Sequence, residues 1–388
     1  MSDTSLQNAL SVLNQFRYGE VSSFTALHPA PASDPTLGPL VDFVGTFSGN
    51  GFNTIFRPNN AVTPTQLPTP INPPADNVLE LNLTSETLSF SKALGSVPNR
   101  GEVQGDIFLN GVPYLQTIND ITVPTQPTGI HFEPGLWIAV PTTQVPAEGP
   151  TVVRMASIPH GTTIEAQGHF STTAGAPTIP PTSITPFPIG NPGGLIVFPS
   201  QTAANGETSR IPQDLSPFIT AGTITQAILD DPNTLLRNHL TGQNIISTTT
   251  IVINTIATPL AGGGTDNIAF LLGDTTINPT RPNGAAVQME AVFWIETVEH
   301  VITVPPYKPT FPPLTVAAPT GGAGQPIPRF QVHPPTPIAE PVQLTVQTTQ
   351  IQYSQKVFLN FNGLTWPHVS VATLVPTDPV PVPTSAWT

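Results

Sequence analysis

Cysteine is absent from the 388-residue chain. Its absence removes disulfides, thiolate metal sites, iron–sulfur clusters and cysteine nucleophiles together, so any metal must be held by histidine or carboxylate. Charge is scarce as well: Asp, Glu, Lys and Arg make up 9% of the residues, against about 25% in an average soluble domain. Thr, Ser, Asn, Gln and Pro must therefore supply most of the solvated surface. The 11 cations face 24 acids, for a net charge of -13, and only Lys92, Lys308 and Lys356 are lysines. Without a basic stripe to neutralise phosphates, nucleic acid and anionic membrane are poor partners. No apolar run approaches the roughly 18 residues of a membrane span. The opening Met-Ser-Asp-Thr-Ser-Leu has an acid where a signal peptide carries its basic region. The expectation is a soluble, cytoplasmic protein.

What is present is proline: 49 residues, with 30 glycines beside them. Together they fall below the roughly 25–30% that marks low complexity, and no Gly-X-Y period appears, so collagen and wholesale disorder are excluded. The length, well above ~150 residues, leaves ample room for a core.

The first periodic segment, Leu6, Ala9, Leu10, Leu13 and Phe16 behind Thr4 and Ser5, predicts a short amphipathic helix. Between residues 37 and 57, Gly45, Gly49 and Gly51 punctuate β-prone residues, as at the corners of barrels. Strand-like runs follow at 78–83, 86–91, 102–109, 114–121, 130–140, 151–158 and 162–170, separated by Pro, Gly and Asn. This pattern predicts an antiparallel β sandwich or barrel. Residues 171 to about 220 form a Pro/Thr/Gly-rich stretch, and a helical pattern spans about 224–240, divided by Pro232. Strands are expected again at 244–257, 267–272, 287–304, 342–360 and 368–375, with a further Pro-rich crossing at 305–328. Four regions result: a helix and linker at 1–36, the first part of a β unit at 37–170, a Pro-rich insertion with helix and added strands at 171–340, and closing strands and tail at 341–388.

With no cysteine, the histidines are the leading candidates for chemistry. His28 and His333 precede prolines in loops, His160 sits in a Pro-His-Gly turn, and His239 lies near a helix C-terminus where imidazole suits the dipole. Structural roles are the expectation for these four, and for the strand residues His169 and His300. Two others have more informative neighbours. His131 stands two residues before Glu133, a ready partner. His368 shares a strand face with Ser370, Ala372 and Leu374, while Val369, Val371, Thr373 and Val375 take the other. The face of His368 is small enough to leave space. Glu290 and Glu296 share a face of one long strand and Glu299 takes the other, where paired carboxylates could do acid–base work but a solvated face is the simpler expectation. No nucleophile elbow, P-loop, dinucleotide fingerprint or His-Glu-x-x-His motif occurs.

Several segments resemble, in order, those of the nitrobindin-type heme-binding β-barrels. Leu37-Gly-Pro-Leu-Val-Asp-Phe-Val-Gly-Thr-Phe-Ser-Gly-Asn-Gly51 is similar to the family's opening strand, with Phe47 in place of its Trp. Ile130-His-Phe-Glu-Pro-Gly-Leu-Trp137 resembles the His-x-Glu-x-Gly-aromatic strand, and 151–168 the next hairpin. Residues 351–357 and Trp366-Pro-His-Val-Ser-Val-Ala-Thr-Leu374 resemble the last hairpin, whose histidine ligates iron. The resemblance covers about 110 residues and has no counterpart for 171–340. It implies a calycin- or lipocalin-like barrel with a long Pro-rich insertion and one or two short helices, two barrels or sandwiches being the structural alternative. It also implies heme b held by His368, with His131 and Ile130 in the wall of the same pocket and a small ligand such as NO, peroxide or peroxynitrite. Two further classes compete: a heme-free lipocalin-like binder or pocket enzyme for an apolar metabolite, assisted by His131 or Glu133, and a structural β protein assembling as a homo-oligomer.

Overall fold

The computed structural model describes residues 35–204, 208–257, 262–274, 282–319, 321 and 324–387. The expected helix at 6–16 and His28 lie outside them. The long strands are β1 (Gly45–Pro58), β2 (Asn77–Phe90), β3 (Ile107–Asp120), β4 (Thr128–Val140) and β5 (Thr151–Ile158), then β6 (Thr162–Ala174), β7 (Asn244–Asn254), β8 (Asn283–Val304), β9 (Val342–Phe361) and β10 (Leu364–Pro376). Each pairs antiparallel with the next along the chain, and β10 returns to pair with β1, so the ten strands close into one up-and-down barrel. Closure leaves no free edge in the main wall. Two staves, β7 and β8, come from the 171–340 region, so that region is partly barrel wall.

Several expected boundaries shift. The runs at 78–83 and 86–91 are one strand, because Thr84 and Ser85 continue the ladder. Pairing in β3 begins at Ile107, not Glu102. The segment 267–272 is not a strand: pairing stops at Asn267, and Ala269–Leu272 is a single helical turn. The helical stretch divides into α1 (Ser216–Ala221), α2 (Gln226–Asp230) and α3 (Asn233–Leu240), with Pro232 at the last junction. Thr225 caps α2 by accepting from the Ile228 amide.

Strand burial reports where the chain is covered. In β6, buried and exposed residues alternate from Thr162 to His169, as expected for a wall with one face in water. In β10, buried residues occupy both faces. Its inward Ala372 and Leu374 join the barrel core with Ile351, Phe293, Trp137 and Val152. Its outward Val369 and Val371 pack under Ile224, Ile228, Leu229 and Leu236 of the 177–240 crossing. Each such aliphatic side chain, fully buried, contributes roughly 1.5–3 kcal/mol. The crossing is therefore a second layer on the barrel.

One end of the barrel is filled. The short helical turn Gly38–Asp42 plugs it, with Leu40 and Phe43 fully buried. The ring of Phe43 stacks on Phe90 at 4.6 Å and meets the edge of Trp137 at 5.5 Å. Beyond the barrel proper, Ile302 and Val304 of β8 and Leu344 and Val346 of β9 make a third core with Phe330 and Val332 of a small three-stranded sheet. Among the described residues, no helix is long and apolar enough to cross a membrane.

Candidate functional site: a histidine-lined barrel cavity

Above the plugged end, the period-2 alternation of inward residues changes character. Tyr114 and Gln116 on β3, Glu133 on β4, Arg154 on β5, Tyr353 and Gln355 on β9 and Glu86 on β2 form a buried polar layer. Glu133 and Arg154 are its charged pair, at 2.5 Å and both essentially without solvent exposure. Tyr114 donates to Glu133 and accepts from Arg154 Nε at 2.9 Å, and Arg154 Nη1 donates to Gln355 at 2.6 Å. The guanidinium also lies 5.4 Å from the Phe293 ring centroid. Burial alone would raise the Glu133 pKa; the charge of Arg154 and the hydrogen bonds of His131 and Tyr114 overcome that and bring it to about 2.

Glu86 completes the layer without a cation. It accepts from Tyr353 at 2.5 Å, from Thr84 at 2.8 Å and from Gln116 at 3.4 Å. Burial raises its pKa despite these donors. Gly51 makes its space: a Cβ there would stand 2.8 Å from Glu86 Oε1. That is a concrete use for one of the glycines that punctuate β1.

The polar layer is the floor of a cavity of about 550 Å³, within the roughly 300–1,000 Å³ of small-molecule sites. Its walls are mainly apolar: Ile55, Ile118, Ile130, Val357, Leu359 and Phe361. Three histidines, His131, His160 and His368, share it. His368 and Ser370 face inward together, as the alternation predicts, and Asn53 of β1 lies beside them. Asn53 Nδ2 donates to Ser370 Oγ at 2.7 Å and stands only 3.4 Å from His368 Nε2, a contact at the weak limit. His368 Nδ1 is buried and has no partner among the described residues. Burial, reinforced by the nearby His131 and His160, pushes the His368 pKa down to about 3, so the ring is neutral in ordinary buffers.

His131 is held by Glu133, with Nε2 and Oε2 3.0 Å apart, and its side chain is 14% exposed. His160 occupies the turn after β5 at the rim, its ring centroid 5.8 Å from that of His131. Burial and the charge of His131 lower its pKa, against a contact with the Ile130 backbone that raises it. The sequence placed His160 in a structural turn; the barrel brings that turn to the cavity mouth. Ile130 also lines the cavity.

The remaining histidines fall elsewhere. His169 is exposed, 3.9 Å from Glu148, and His333 is exposed near the Pro309 carbonyl. His300 packs against Phe330 at 5.6 Å with Nε2 buried and unpartnered. His239 lies on the buried side of α3, bonded through Nδ1 to Thr373 at 2.8 Å, and burial lowers its pKa to about 4, so its ring is neutral. Of the β8 glutamates, Glu290 is partly exposed and pairs with Lys356 at 2.7 Å, whereas the solvated face expected for Glu296 is corrected: Glu296 is fully buried, because the crossing covers that stretch of the outer wall.

Sequence reasoning missed Arg154, Glu86, Tyr353 and Asn53. The signal was available in the alternation, since Val152, Arg154 and Ala156 share one face, as do Glu86, Leu88 and Phe90. A charged group on an otherwise apolar strand face marks a buried polar layer.

Fold and site together define a ten-stranded antiparallel barrel with a plugged end, a polar floor and a histidine-lined cavity. No family model and no curated protein matches the chain. Among solved structures the chain is similar to one described as "Crystal Structure of Rv2717c from M. tuberculosis", at 9% identity and a TM-score of 0.33, over 89% of this chain and 98% of that one.

Proposed function

We propose that the chain binds heme b, or a similarly flat and mostly apolar cofactor, in the barrel cavity, where His368 would hold its iron. The observation that carries this reading is the state of His368: a neutral imidazole with weakly engaged ring nitrogens, set in a largely apolar cavity of about 550 Å³. Metal binding requires an unprotonated imidazole, and the low pKa provides it across the physiological range. Among the described residues, no group of three or more His, Asp or Glu side chains is placed to hold a bare metal ion. One protein ligand suffices for an iron that arrives with its own macrocycle.

The residues fit this role in three ways. Ile55, Ile118, Val357, Leu359 and Phe361 supply apolar surface for the body of the cofactor and keep water away from it. Asn53 stands beside His368 Nε2 and is itself held by Ser370. The charges of Glu133 and Arg154 are paired with each other in the floor, so an apolar molecule above them strands neither. When bound, heme would supply iron to react with NO, peroxide or peroxynitrite. His131 and His160 are the protein's own polar groups beside that space.

Hemin added to the purified protein should give a sharp Soret band at one equivalent. His368→Ala should remove the band and His300→Ala should leave it intact. An unchanged titration in His368→Ala would overturn the assignment of the ligand, and a wild type that gives no Soret band would favour the heme-free binder of an apolar metabolite, for which the same walls suffice.

A further inference from the structure

The pairing of Glu133 with His131 is not needed for charge balance. Glu133 is already compensated by Arg154 at 2.5 Å, and Tyr114 donates to the same oxygen, Oε1. Its second oxygen, Oε2, is left for His131 Nε2 at 3.0 Å. A carboxylate anchored so firmly on one side acts as a fixed acceptor on the other. The benefit therefore runs from the glutamate to the histidine.

A neutral imidazole carries one N–H, and the nitrogen that bears it is set by the hydrogen bond the ring makes. Glu133 can only accept, so the proton of neutral His131 belongs on Nε2 and the lone pair on Nδ1. That Nδ1 has no partner among the described residues and is not buried. It belongs to a side chain that lines the cavity with His160 and His368.

We propose that Glu133 is a positioning residue that holds His131 in the Nε2–H form, so that Nδ1 is the proton acceptor of the cavity, with His160 at the rim as its exchange partner toward solvent. The inference rests on the cavity being a ligand site; it does not require that the ligand be heme. The class of ligand it addresses is a small molecule with an ionisable O–H, such as a hydroperoxide or a phenol. In the transfer, Nδ1 takes the proton, the ligand oxygen keeps the electron pair, and the imidazolium charge is shared with Glu133 through Nε2–H. The reverse step returns the proton to the ligand or passes it through His160. The charged and titratable groups around His131 are Glu133 and Arg154 in the floor, Glu86 and Tyr353 beside them, and His160 and His368 in the walls, with Arg57 and Glu80 at the mouth.

The test is nitrogen-15 NMR of the histidine rings in the heme-free full chain, so that a failed heme reading leaves it interpretable. In the wild type, the Nε2–H tautomer should outweigh the Nδ1–H tautomer of His131 by at least about tenfold, as a charge-assisted bond imposes. Glu133→Gln should reduce that preference severalfold, while His300→Ala should leave it unchanged. If Glu133→Gln fails to fold, the wild-type spectrum alone decides. A predominant Nδ1–H tautomer of His131 would overturn the proposal, as would an unchanged preference in folded Glu133→Gln.

Discussion

Two buried polar layers lie against the same barrel wall, one inside and one outside, and they are built on opposite terms. Inside, Glu133 meets Arg154, and among the floor residues each buried polar side-chain atom has a partner. Outside, beneath α3 and the turn that follows it, Glu296 accepts from Gln350 at 2.6 Å, Gln350 pairs with Gln243, and Gln352 and His239 both meet Thr373. No cation joins this outer layer among the described ion pairs, and Glu296 Oε1, Gln352 Oε1 and His239 Nε2 are buried without partners. The consequence is visible in the two glutamates: Glu133 is brought to about 2, and burial drives Glu296 to about 8. Burial is equal in the two places; compensation is what differs. A compensated layer is scaffold, and an uncompensated one has a protonation state that the solvent can still change.

The largest effect should come from breaking the compensated pair. Arg154→Met leaves Glu133 buried without its guanidinium, with only Tyr114 and His131 beside it, and removes the guanidinium from the rings of Tyr114 and Phe293. Losing one partner of a buried pair costs about 3–5 kcal/mol, so urea unfolding at neutral pH should show a loss of that size. A loss below about 1 kcal/mol would mean that the inner layer is no better compensated than the outer one.

Glu296 of the outer layer should respond to pH in the opposite sense from Glu133 of the inner one. Glu296 has a folded pKa of about 8, above the ordinary value of about 4.3. The native state therefore holds a proton that the unfolded chain releases, and stability falls as pH rises between those two values. Glu133, depressed to about 2, contributes stability that is present above about 4.3 and is lost as pH falls toward the folded value. Glu296→Gln should flatten the profile between pH 5 and 8, with a gain of a few kcal/mol at pH 8 and little change at pH 5. Denaturant titrations across that range would contradict the assignment if the variant and the wild type ran parallel.

A third, smaller effect separates hydrogen bonds from charge within the floor. Tyr353→Phe removes the 2.5 Å donor to Glu86 and the acceptor for Gln116 Nε2. The expected cost is about 1–3 kcal/mol for a buried acceptor left underused, below that of Arg154→Met. Thermal unfolding of the two variants side by side gives the order directly.

Much of the fold could be read in advance because strand alternation is a local property. The inward set His368, Ser370, Ala372 and Leu374 followed from period 2 alone, and Pro232 marked a helix junction. What alternation cannot report is what covers the outward face. Glu296 looked solvated because nothing local distinguishes a strand face in water from one under a crossing segment. His160 was similarly hidden, since a turn reaches the cavity mouth only once the barrel has closed. The pairing of Glu133 with His131 could be anticipated two residues apart, but not its anchor: Arg154 stands on the next strand, and only register brings it there.

The smallest predicted effect isolates burial itself. Arg57 and Glu80 at the cavity mouth make the same kind of pair as Arg154 and Glu133, at 2.8 Å instead of 2.5 Å, also on adjacent strands. The difference is solvent: Arg57 is 45% exposed and Glu80 25% exposed. Water and salt screen such a pair, and fixing two long side chains costs entropy, so Arg57→Ala should change stability by about 1 kcal/mol or less. That small cost should shrink further in high salt, whereas the cost of Arg154→Met should persist. A cost for Arg57→Ala that rivals the buried variant, or one insensitive to salt, would show that geometry and not desolvation sets the energies in this barrel.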